Sequence, residues 1–410
     1  MTATSSRLEV GDDRDRLLTL PFLLLTVGEL AYFVAAGMAV FLVPLHATGP
    51  LGADRTGAGL AFGVFAVSAL VLRPLAGRLC DTHGRRPLLV GGALLASTVL
   101  LLTGRADAFG DLVVLRLVAG VAEAAVFVAT FAAVADLAPP GRLGEAISYN
   151  SLALYLGLAG GPPLAEYLVE SAPVVHGFGT AWIGAGMLAA VAAFVFAAVG
   201  ETRPPSVLRA GAREVRQPLV HRGSLPLAVG FLASIIAMGG FLAFAGLRAG
   251  EVGLDGASLP LVVYGAVVVV GRITFAKLPD RVPPLPLAAG ALGAIGTGLA
   301  VLALWSTPAG LVAGTGVLAL GVTFTTPAFF TAVFTAVPEA ERGAASATLS
   351  AAIDIGLGLG PILLGVVAET SGIPAAMALG CLVTAAGAAW TLGPAARPGR
   401  GMPGPRGTMP

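Results

Sequence analysis

Between two long apolar stretches lies the charged segment Gly77-Arg78-Leu79-Cys80-Asp81-Thr82-His83-Gly84-Arg85-Arg86-Pro87-Leu88-Leu89. A weaker copy of this region follows 199 residues later, with Arg272, Leu278 and Asp280 matching Arg73, Leu79 and Asp81. The same offset relates Gly157, Gly161 and Pro162 to Gly356, Gly360 and Pro361. Because one constant offset relates two separate motifs, the sequence predicts two copies of one half-molecule.

The composition predicts a membrane protein. The chain has 410 residues, of which 56% are hydrophobic and 11% charged, and its mean hydropathy is +0.89. Soluble domains carry about 25% charged residues, so this chain has too much apolar surface for water. A net charge of +1 argues against nucleic acid as a partner. The two cysteines and four histidines form no metal-ligand pattern, so no metal or cofactor is expected.

Twelve apolar stretches have the length of a transmembrane helix, about 20 residues. They lie at 18–44, 57–77, 87–104, 109–137, 143–168, 178–199, 225–247, 257–276, 284–305, 309–336, 343–368 and 374–393. The predicted fold is an all-α membrane protein with twelve transmembrane helices. These form two six-helix halves, related by a pseudo-two-fold axis along the membrane normal.

The spans divide the chain into five segments. Residues 1–17 form an N-terminal tail, 18–199 the first six-helix half, 200–224 an arginine-rich linker, 225–393 the second half and 394–410 a tail expected to be disordered. With both termini in the cytoplasm, all but four of the 24 Lys and Arg residues fall on the cytoplasmic side; the four are Arg55, Arg105, Arg116 and Arg248. The positive-inside rule therefore predicts cytoplasmic termini in the cell membrane.

The charged segment 77–89 resembles the signature of the major facilitator superfamily, G-x-L-a-D-(R/K)-x-G-R-(R/K)-x-x-L, in the expected place between spans two and three. Every fixed position matches except Thr82, where a basic residue is usual, and Cys80, which replaces another small residue. Leu115-Arg116 with Gly120 is similar to the second motif of the superfamily, although Ala119 replaces its usual Gln.

A third motif favours one branch of this superfamily. The stretch Gly157-Leu158-Ala159-Gly160-Gly161-Pro162 resembles the G-x-x-x-G-P core of twelve-span drug–proton antiporters. The final Gly-Gly of that motif is missing, because Ala165 and Glu166 stand there. This likeness favours export over uptake.

The resemblance implies that residues of the charged segment latch the two halves together at the cytoplasmic side. These gate residues are Gly77, Asp81, Gly84, Arg85, Arg86 and Asp136. Asp81 is expected to cap the start of span eleven, whose free N–H groups favour a carboxylate. Arg85 is expected to pair with Asp136, and Gly77 and Gly84 to allow close approach of the backbone.

The second half keeps part of this gate. Asp280 and Arg281 are present, and Arg272 matches Arg73, but Pro283 and Pro284 stand where Gly and Arg are expected. Its latch should therefore be weaker. The alternative is that the charged segment only anchors the topology.

Glycines of spans five and eleven favour close helix contact. Gly157 with Gly161, and Gly356 with Gly360, form small-x-x-x-small faces that let helix backbones meet in lipid. Pro162 and Pro361 each remove a backbone donor and are expected to bend their helices. Ordinary helix contact is preferred here over a dedicated antiport device.

Charges within the spans point to the functional site, because each is costly in lipid. Glu29 and Asp354 each lie about eleven residues into spans one and eleven, so the two carboxylates should sit at similar depth. Asp354 points away from the face of Gly356, toward a central cavity. Its repeat equivalent is Tyr155, which also suits a cavity wall.

Span four adds two more charges. Glu123 and Arg116 are seven residues apart on one face, too far for direct contact, and Arg116 is expected to reach Glu29 or the outer surface. Tyr32 lies beside Glu29 and suits an apolar site. The alternative for all these charges is a structural ion-pair network.

The sequence therefore predicts proton-coupled export of a small hydrophobic or amphiphilic compound by alternating access. Its partners would be the compound, protons and lipid, and the protein would act as a monomer. Proton-coupled uptake of a metabolite and a non-transporting receptor of the same fold are the alternatives. A sugar site is disfavoured, because the chain has one Asn and one Gln. An enzyme is not expected, because the sequence shows neither a nucleophile with a matching base nor a metal-binding cluster.

Overall fold

The described residues contain twelve main α-helices, one for each predicted span. The computed structural model describes residues 17–139, 142–171, 177–203, 221–275, 278–337 and 342–393. The helices are α1 Leu20–Thr48, α2 Arg55–His83, α3 Arg85–Thr103, α4 Phe109–Leu137, α5 Leu143–Ser171, α6 Gly177–Val199, α7 Leu225–Glu251, α8 Leu259–Thr274, α9 Pro284–Leu304, α10 Pro308–Ala336, α11 Arg342–Ser371 and α12 Ile373–Leu392. These ranges contain no β-strand, which confirms the predicted all-α class.

Most of these helices match a bilayer in length and composition. In the described part of the chain, eleven are long and apolar enough to cross a membrane, and α8, at 16 residues, is shorter. A helix of 29 residues, such as α1 or α4, is about 43 Å long at 1.5 Å per residue. Side-chain caps fix several starts: Asp54 accepts the Gly57 N–H at 2.6 Å, and Thr307 accepts that of Gly310 at 3.1 Å.

The charged segment is the end of a helix and not a loop. The prediction ended span two at residue 77, but α2 continues to His83 and α3 starts at Arg85. Gly84 alone separates them, with φ of +103°, a backbone conformation that favours glycine. The second-half copy differs: α8 ends at Thr274 and only the helical turn Leu278–Arg281 follows.

Helices α1–α6 and α7–α12 form two halves with the same internal contacts. In the first half α1 packs on α5 and α6, α2 on α4, and α3 on α4 and α6. In the second half α7 packs on α11 and α12, α8 on α10, and α9 on α10 and α12. Every pair corresponds to its partner in the other half, so the predicted pseudo-symmetric halves are confirmed.

The halves meet along two equivalent interfaces, α2 with α11 and α5 with α8, and α1 also contacts α7. We call the end of the bundle where α6 leaves the first half the linker end, and the opposite end the far end. The N-terminal tail to residue 16, linker residues 204–220 and the tail from 394 lie outside the described residues, as do the side chains of Asp81 and Asp280.

Candidate functional site

An ion pair joins the two halves in the middle of the bundle. Asp354 lies on α11, twelve residues after Arg342 and so about 18 Å along the helix from the linker end. Its side chain is 4% exposed, and its Oδ1 lies 2.7 Å from Nη2 of Arg73 on α2. The other carboxylate oxygen, Oδ2, is buried without a hydrogen-bond partner. A buried charge of this kind is costly unless it is paired, so Arg73 offsets most of the cost of Asp354.

Aromatic rings of α4 support Arg73 from the other side. Its guanidinium carbon lies 4.2 Å from the centre of the Phe127 ring, a cation–π contact. Phe127 in turn packs against Phe131, with 4.7 Å between ring centres. Nε of Arg73 is buried without a partner, so Asp354 and the ring hold the guanidinium while one donor stays free.

The second predicted carboxylate, Glu29, is buried within the first half. It lies on α1, nine residues after Leu20, and is 4% exposed. Asn150 of α5, the single asparagine of the chain, lies near this carboxylate. Oε2 of Glu29 and Oδ1 of Asn150 are buried without partners. Unsatisfied buried polar atoms are rare in proteins and typical of sites that take up water, protons or ligands.

One turn of α1 further on, Tyr32 connects this region to α4. The hydroxyl of Tyr32 donates to Oε2 of Glu123 at 2.8 Å. Glu29 and Tyr32 are three residues apart and so share a face of α1. The first half therefore holds a polar cluster, Glu29, Tyr32, Glu123 and Asn150, formed by α1, α4 and α5.

Arg116 does not join this cluster through an ion pair with Glu29. Its Nε donates to the carbonyl of Ala61 at 3.1 Å, its Nη2 to that of Phe62 at 3.3 Å, and its guanidinium lies on the ring of Phe65. The expectation that Arg116 reaches Glu29 or the outer surface is therefore wrong, because α2 offers carbonyl groups and a ring much nearer.

In the second half, Arg272 of α8 lies against Tyr155 of α5. The guanidinium carbon is 4.3 Å from the centre of the tyrosine ring. Nε and Nη2 of Arg272 are buried without partners. The sequence analysis counted Arg73 and Arg272 with the cytoplasmic residues, whereas the structure places both inside the bundle.

At the linker end, the predicted pair of gate residues is present. Nε of Arg85 lies 2.9 Å from Oδ2 of Asp136, which confirms that pairing. Gly84 differs from the expected backbone approach, because the atoms that a Cβ there would overlap belong to the side-chain carboxylate of Glu201. The expectation for Gly77 is wrong, since a Cβ there would meet no atom within 4 Å. Asp81 and Asp280, whose side chains lie outside the described residues, leave both predicted latches as predictions.

Glu201, which the sequence analysis did not assign, completes this end. Its carboxylate accepts hydrogen bonds from the backbone N–H groups of Arg85 and Arg86 at the start of α3, at 2.9 and 3.2 Å, and from that of Arg203. Burial disfavours its charge, but these hydrogen bonds outweigh burial and hold the pKa of Glu201 below its ordinary value. In the second half, Arg281 is exposed at the end of its helical turn.

At the far end, charged groups connect the halves. Arg55 pairs with Glu251 at 2.8 Å, and its backbone N–H donates to Glu369 at 2.9 Å. Glu166 accepts from the hydroxyl of Ser258 at 2.6 Å and so links α5 to the start of α8. Sequence reasoning missed the Arg55 network, because nothing in the spacing of its members indicates that they meet.

The glycine faces mediate helix contact, as predicted. A Cβ at Gly157 or Gly161 would overlap the backbone of α1, and one at Gly360 would overlap that of α7. A Cβ at Gly356 would meet the side chain and backbone of Ile235 on α7. Pro162 and Pro361 lie inside α5 and α11, one residue after these glycine faces.

The sequence of this chain matches a known protein family and several relatives. Residues 25–318 match the sequence model of the Major Facilitator Superfamily. An uncharacterized MFS-type transporter of Burkholderia mallei is 29% identical over 370 residues, which cover 87% of this chain and 88% of that protein.

Solved structures show the same fold at low identity. A bacterial homolog of the human lysosomal transporter Spinster, in an inward-facing and occupied conformation, has a TM-score of 0.74 at 17% identity. The match covers 90% of this chain and 95% of that one. The nucleoside transporter NupG has a TM-score of 0.73 at 14% identity, covering 91% and 98%.

Proposed function

This chain belongs to the major facilitator superfamily and is a multi-pass membrane protein, and we propose that it is a proton-coupled secondary active transporter. In this proposal it exports a small hydrophobic or amphiphilic compound by alternating access. It resembles the drug–proton antiporter branch through Gly157–Pro162, and this motif supports export. Gly157 and Gly161 also serve helix contact, so the vesicle assay below is the test that decides between export and uptake.

The observation that carries the proposal is the Arg73–Asp354 ion pair between the halves. Protonation of Asp354 would remove its negative charge and with it the attraction that holds α11 against α2. The halves would then separate more easily at this depth. Loss of the proton would restore the pair, so the protonation state of one carboxylate would favour one arrangement of the two halves.

Glu29 supplies a second proton acceptor in this proposal. Its Oε2 is buried without a partner and is therefore available to a proton or a ligand group. Tyr32 and Glu123 extend the cluster toward α4, so a proton taken up at one carboxylate has a neighbouring acceptor. Arg116, fixed to α2, has a structural role here.

Inside-out vesicles with an imposed proton gradient test this function. A panel of dyes, antibiotics and metabolites is screened for gradient-driven uptake. Glu29→Gln and Asp354→Asn should each abolish gradient-driven uptake while preserving gradient-independent exchange. The exposed carboxylate of Asp107 provides the matched control, and Asp107→Asn should transport normally. If both neutral variants keep the wild-type rate and pH dependence, the assignment of coupling to these residues is wrong.

The proposed orientation places both termini and the linker end in the cytoplasm of the cell. Cysteine labelling tests this with Asp107→Cys in the α3–α4 connection and Arg281→Cys at the other end. A membrane-impermeant thiol reagent applied to intact cells should modify only the first. Labelling of Arg281→Cys alone would reverse the orientation.

A further inference from the structure

The two arginines of the central region are repeat equivalents, and so are the groups they contact. The offset of 199 residues that relates Arg73 to Arg272 also relates Tyr155 to Asp354. The structure joins Arg73 to Asp354 across the α2–α11 interface and Arg272 to Tyr155 across the α5–α8 interface. The same contact therefore occurs twice, once with a carboxylate and once with a phenol ring.

Because of this difference, no counter-charge for Arg272 is found within the described part of the chain. The Tyr155 ring attracts the guanidinium through its face, but it neither neutralises the charge nor accepts the in-plane N–H bonds. The hydroxyl of nearby Tyr264 donates to Met238 at 3.1 Å. Among the described residues no carboxylate pairs with Arg272, and its Nε and Nη2 are buried without partners.

A guanidinium with two adjacent free donors suits one kind of ligand. Nε and one Nη of arginine lie side by side and bind both oxygens of a carboxylate, sulfonate or phosphate. Arginine inside a membrane protein is costly unless a negative group is supplied. For Arg73 this group is Asp354, and for Arg272 none of the described side chains provides one.

We propose that Arg272 binds the anionic group of the transported compound, which takes the position that Asp354 holds against Arg73 in the first half. This inference rests on the proposed transport function and narrows its substrate to an organic anion. The rest of that compound should be apolar, because the chain has one Asn and one Gln and so offers few amide side chains to a polar ligand. The bound anion and Asp354 would then form matching bridges across the two interfaces between the halves.

Substitution of Tyr155 tests the site without knowledge of the natural compound. Tyr155→Asp places a carboxylate at the repeat equivalent of Asp354, where it should pair with Arg272. We expect its melting temperature in detergent to exceed that of Tyr155→Asn, which has the same size and no charge. In Arg272→Gln this advantage should vanish. Equal melting temperatures for the Asp and Asn variants would overturn the proposal.

Ligand stabilisation tests the same site with defined probes. Benzoate, 1-naphthoate and 1-naphthalenesulfonate are compared with benzamide and 1-naphthamide, which have the same apolar bodies without the charge. At least one anion should stabilise the wild-type protein more than its amide. Arg272→Gln and Tyr155→Asp should weaken this response at least tenfold. The exposed Arg105 in the α3–α4 connection provides the matched control, and Arg105→Gln should keep the response of the wild-type protein.

The outcomes separate this inference from the proposed function. An equal response to acids and amides, or a response that Arg272→Gln leaves within twofold of wild type, would overturn the anion site. Gradient-driven transport of neutral or cationic compounds at the same rate in Arg272→Gln and wild type would also overturn the anion site. It would still support the transport function. Arg272-dependent binding of the anions, without transport of any compound in vesicles, would instead overturn the transport function and support the site.

Discussion

At the residue scale, the buried charges of Arg73 and Asp354 stabilise each other through their ion pair. Asp354→Asn or Arg73→Gln leaves one buried charge without its partner, and breaking a buried pair in this way costs about 3–5 kcal/mol of stability. The double variant removes both charges and should recover much of this loss. Thermal unfolding of the four proteins in detergent measures the coupling. Additive losses in the double variant would show that the pair is not coupled.

Glu201 gives a pH-dependent contribution to stability at the linker end. Its pKa is lowered in the folded protein, because the hydrogen bonds from Arg85, Arg203 and Arg86 outweigh the effect of burial. The contribution is thus fully present above the ordinary carboxyl pKa of about 4.3 and is lost as pH falls through the lower folded value.

Glu201→Gln should therefore have a lower melting temperature than wild type at pH 7. The gap should close as the pH falls below about 4.3, where wild-type Glu201 takes up its proton. Melting curves across this range check the prediction, with Asp107→Asn as an exposed control. A gap that is the same at pH 7 and at acid pH would exclude an ionic contribution.

At the element scale, hydropathy placed all twelve helices because lipid requires long apolar stretches with internal hydrogen bonding. It placed some ends wrongly. Span one was ended at Pro44, but α1 continues through this proline to Thr48, and span two was ended where charges begin, but α2 continues to His83. Prolines and charges do not stop a helix whose backbone is supported by neighbours or faces water.

The site was less predictable than the helices. Burial of Glu29 and Asp354 followed from the cost of charge in lipid, and the pairing of Arg85 with Asp136 from their shared end of the bundle. The partner of Asp354 did not follow, because the repeat shows which residues are equivalent and not which ones meet across the halves. For the same reason, the sequence identified Arg272 and Tyr155 as repeat equivalents of Arg73 and Asp354 but did not show that they are in contact.

Substitution of two glycines of α2 tests how closely this helix must approach α11. A Cβ at Gly59 would overlap the carbonyl oxygen of Pro361, whereas a Cβ at Gly77 would meet open space. Gly59→Ala should therefore lower the melting temperature and increase labelling of a cysteine at the far end, because α2 must move away from α11.

Gly77→Ala is the matched variant on the same helix. Alanine loses less backbone entropy than glycine on folding, so this change should stabilise the protein by about 0.5–1 kcal/mol. Thermal unfolding and far-end labelling of the two variants decide the matter. A destabilised Gly77→Ala protein would mean that this glycine has a contact in another arrangement of the halves.

At the scale of the whole molecule, the described ion pairs and hydrogen bonds between the halves include groups in the middle of the bundle and at the far end. Arg55 with Glu251 and Glu369, and Glu166 with Ser258, close the far end, and Arg73 with Asp354 lies beneath them. Alternating access requires that such contacts break when the other end closes. In this structure these contacts hold the two halves together at the far end.

Locking this end should stop transport. Glu166→Cys with Ser258→Cys, in a background of Cys80→Ala and Cys381→Ala, places two thiols across the α5–α8 interface where the native oxygens are 2.6 Å apart. Treatment with a short thiol cross-linker should abolish transport, and reduction should restore it. Cysteines at Thr82 and Arg203, where the Arg203 guanidinium donates to the backbone carbonyl of Thr82 within the first half, form the comparison pair. Because each half is expected to move as one unit, cross-linking this second pair should leave transport unchanged. Continued transport by the protein cross-linked between residues 166 and 258 would show that transport does not require the far end to open.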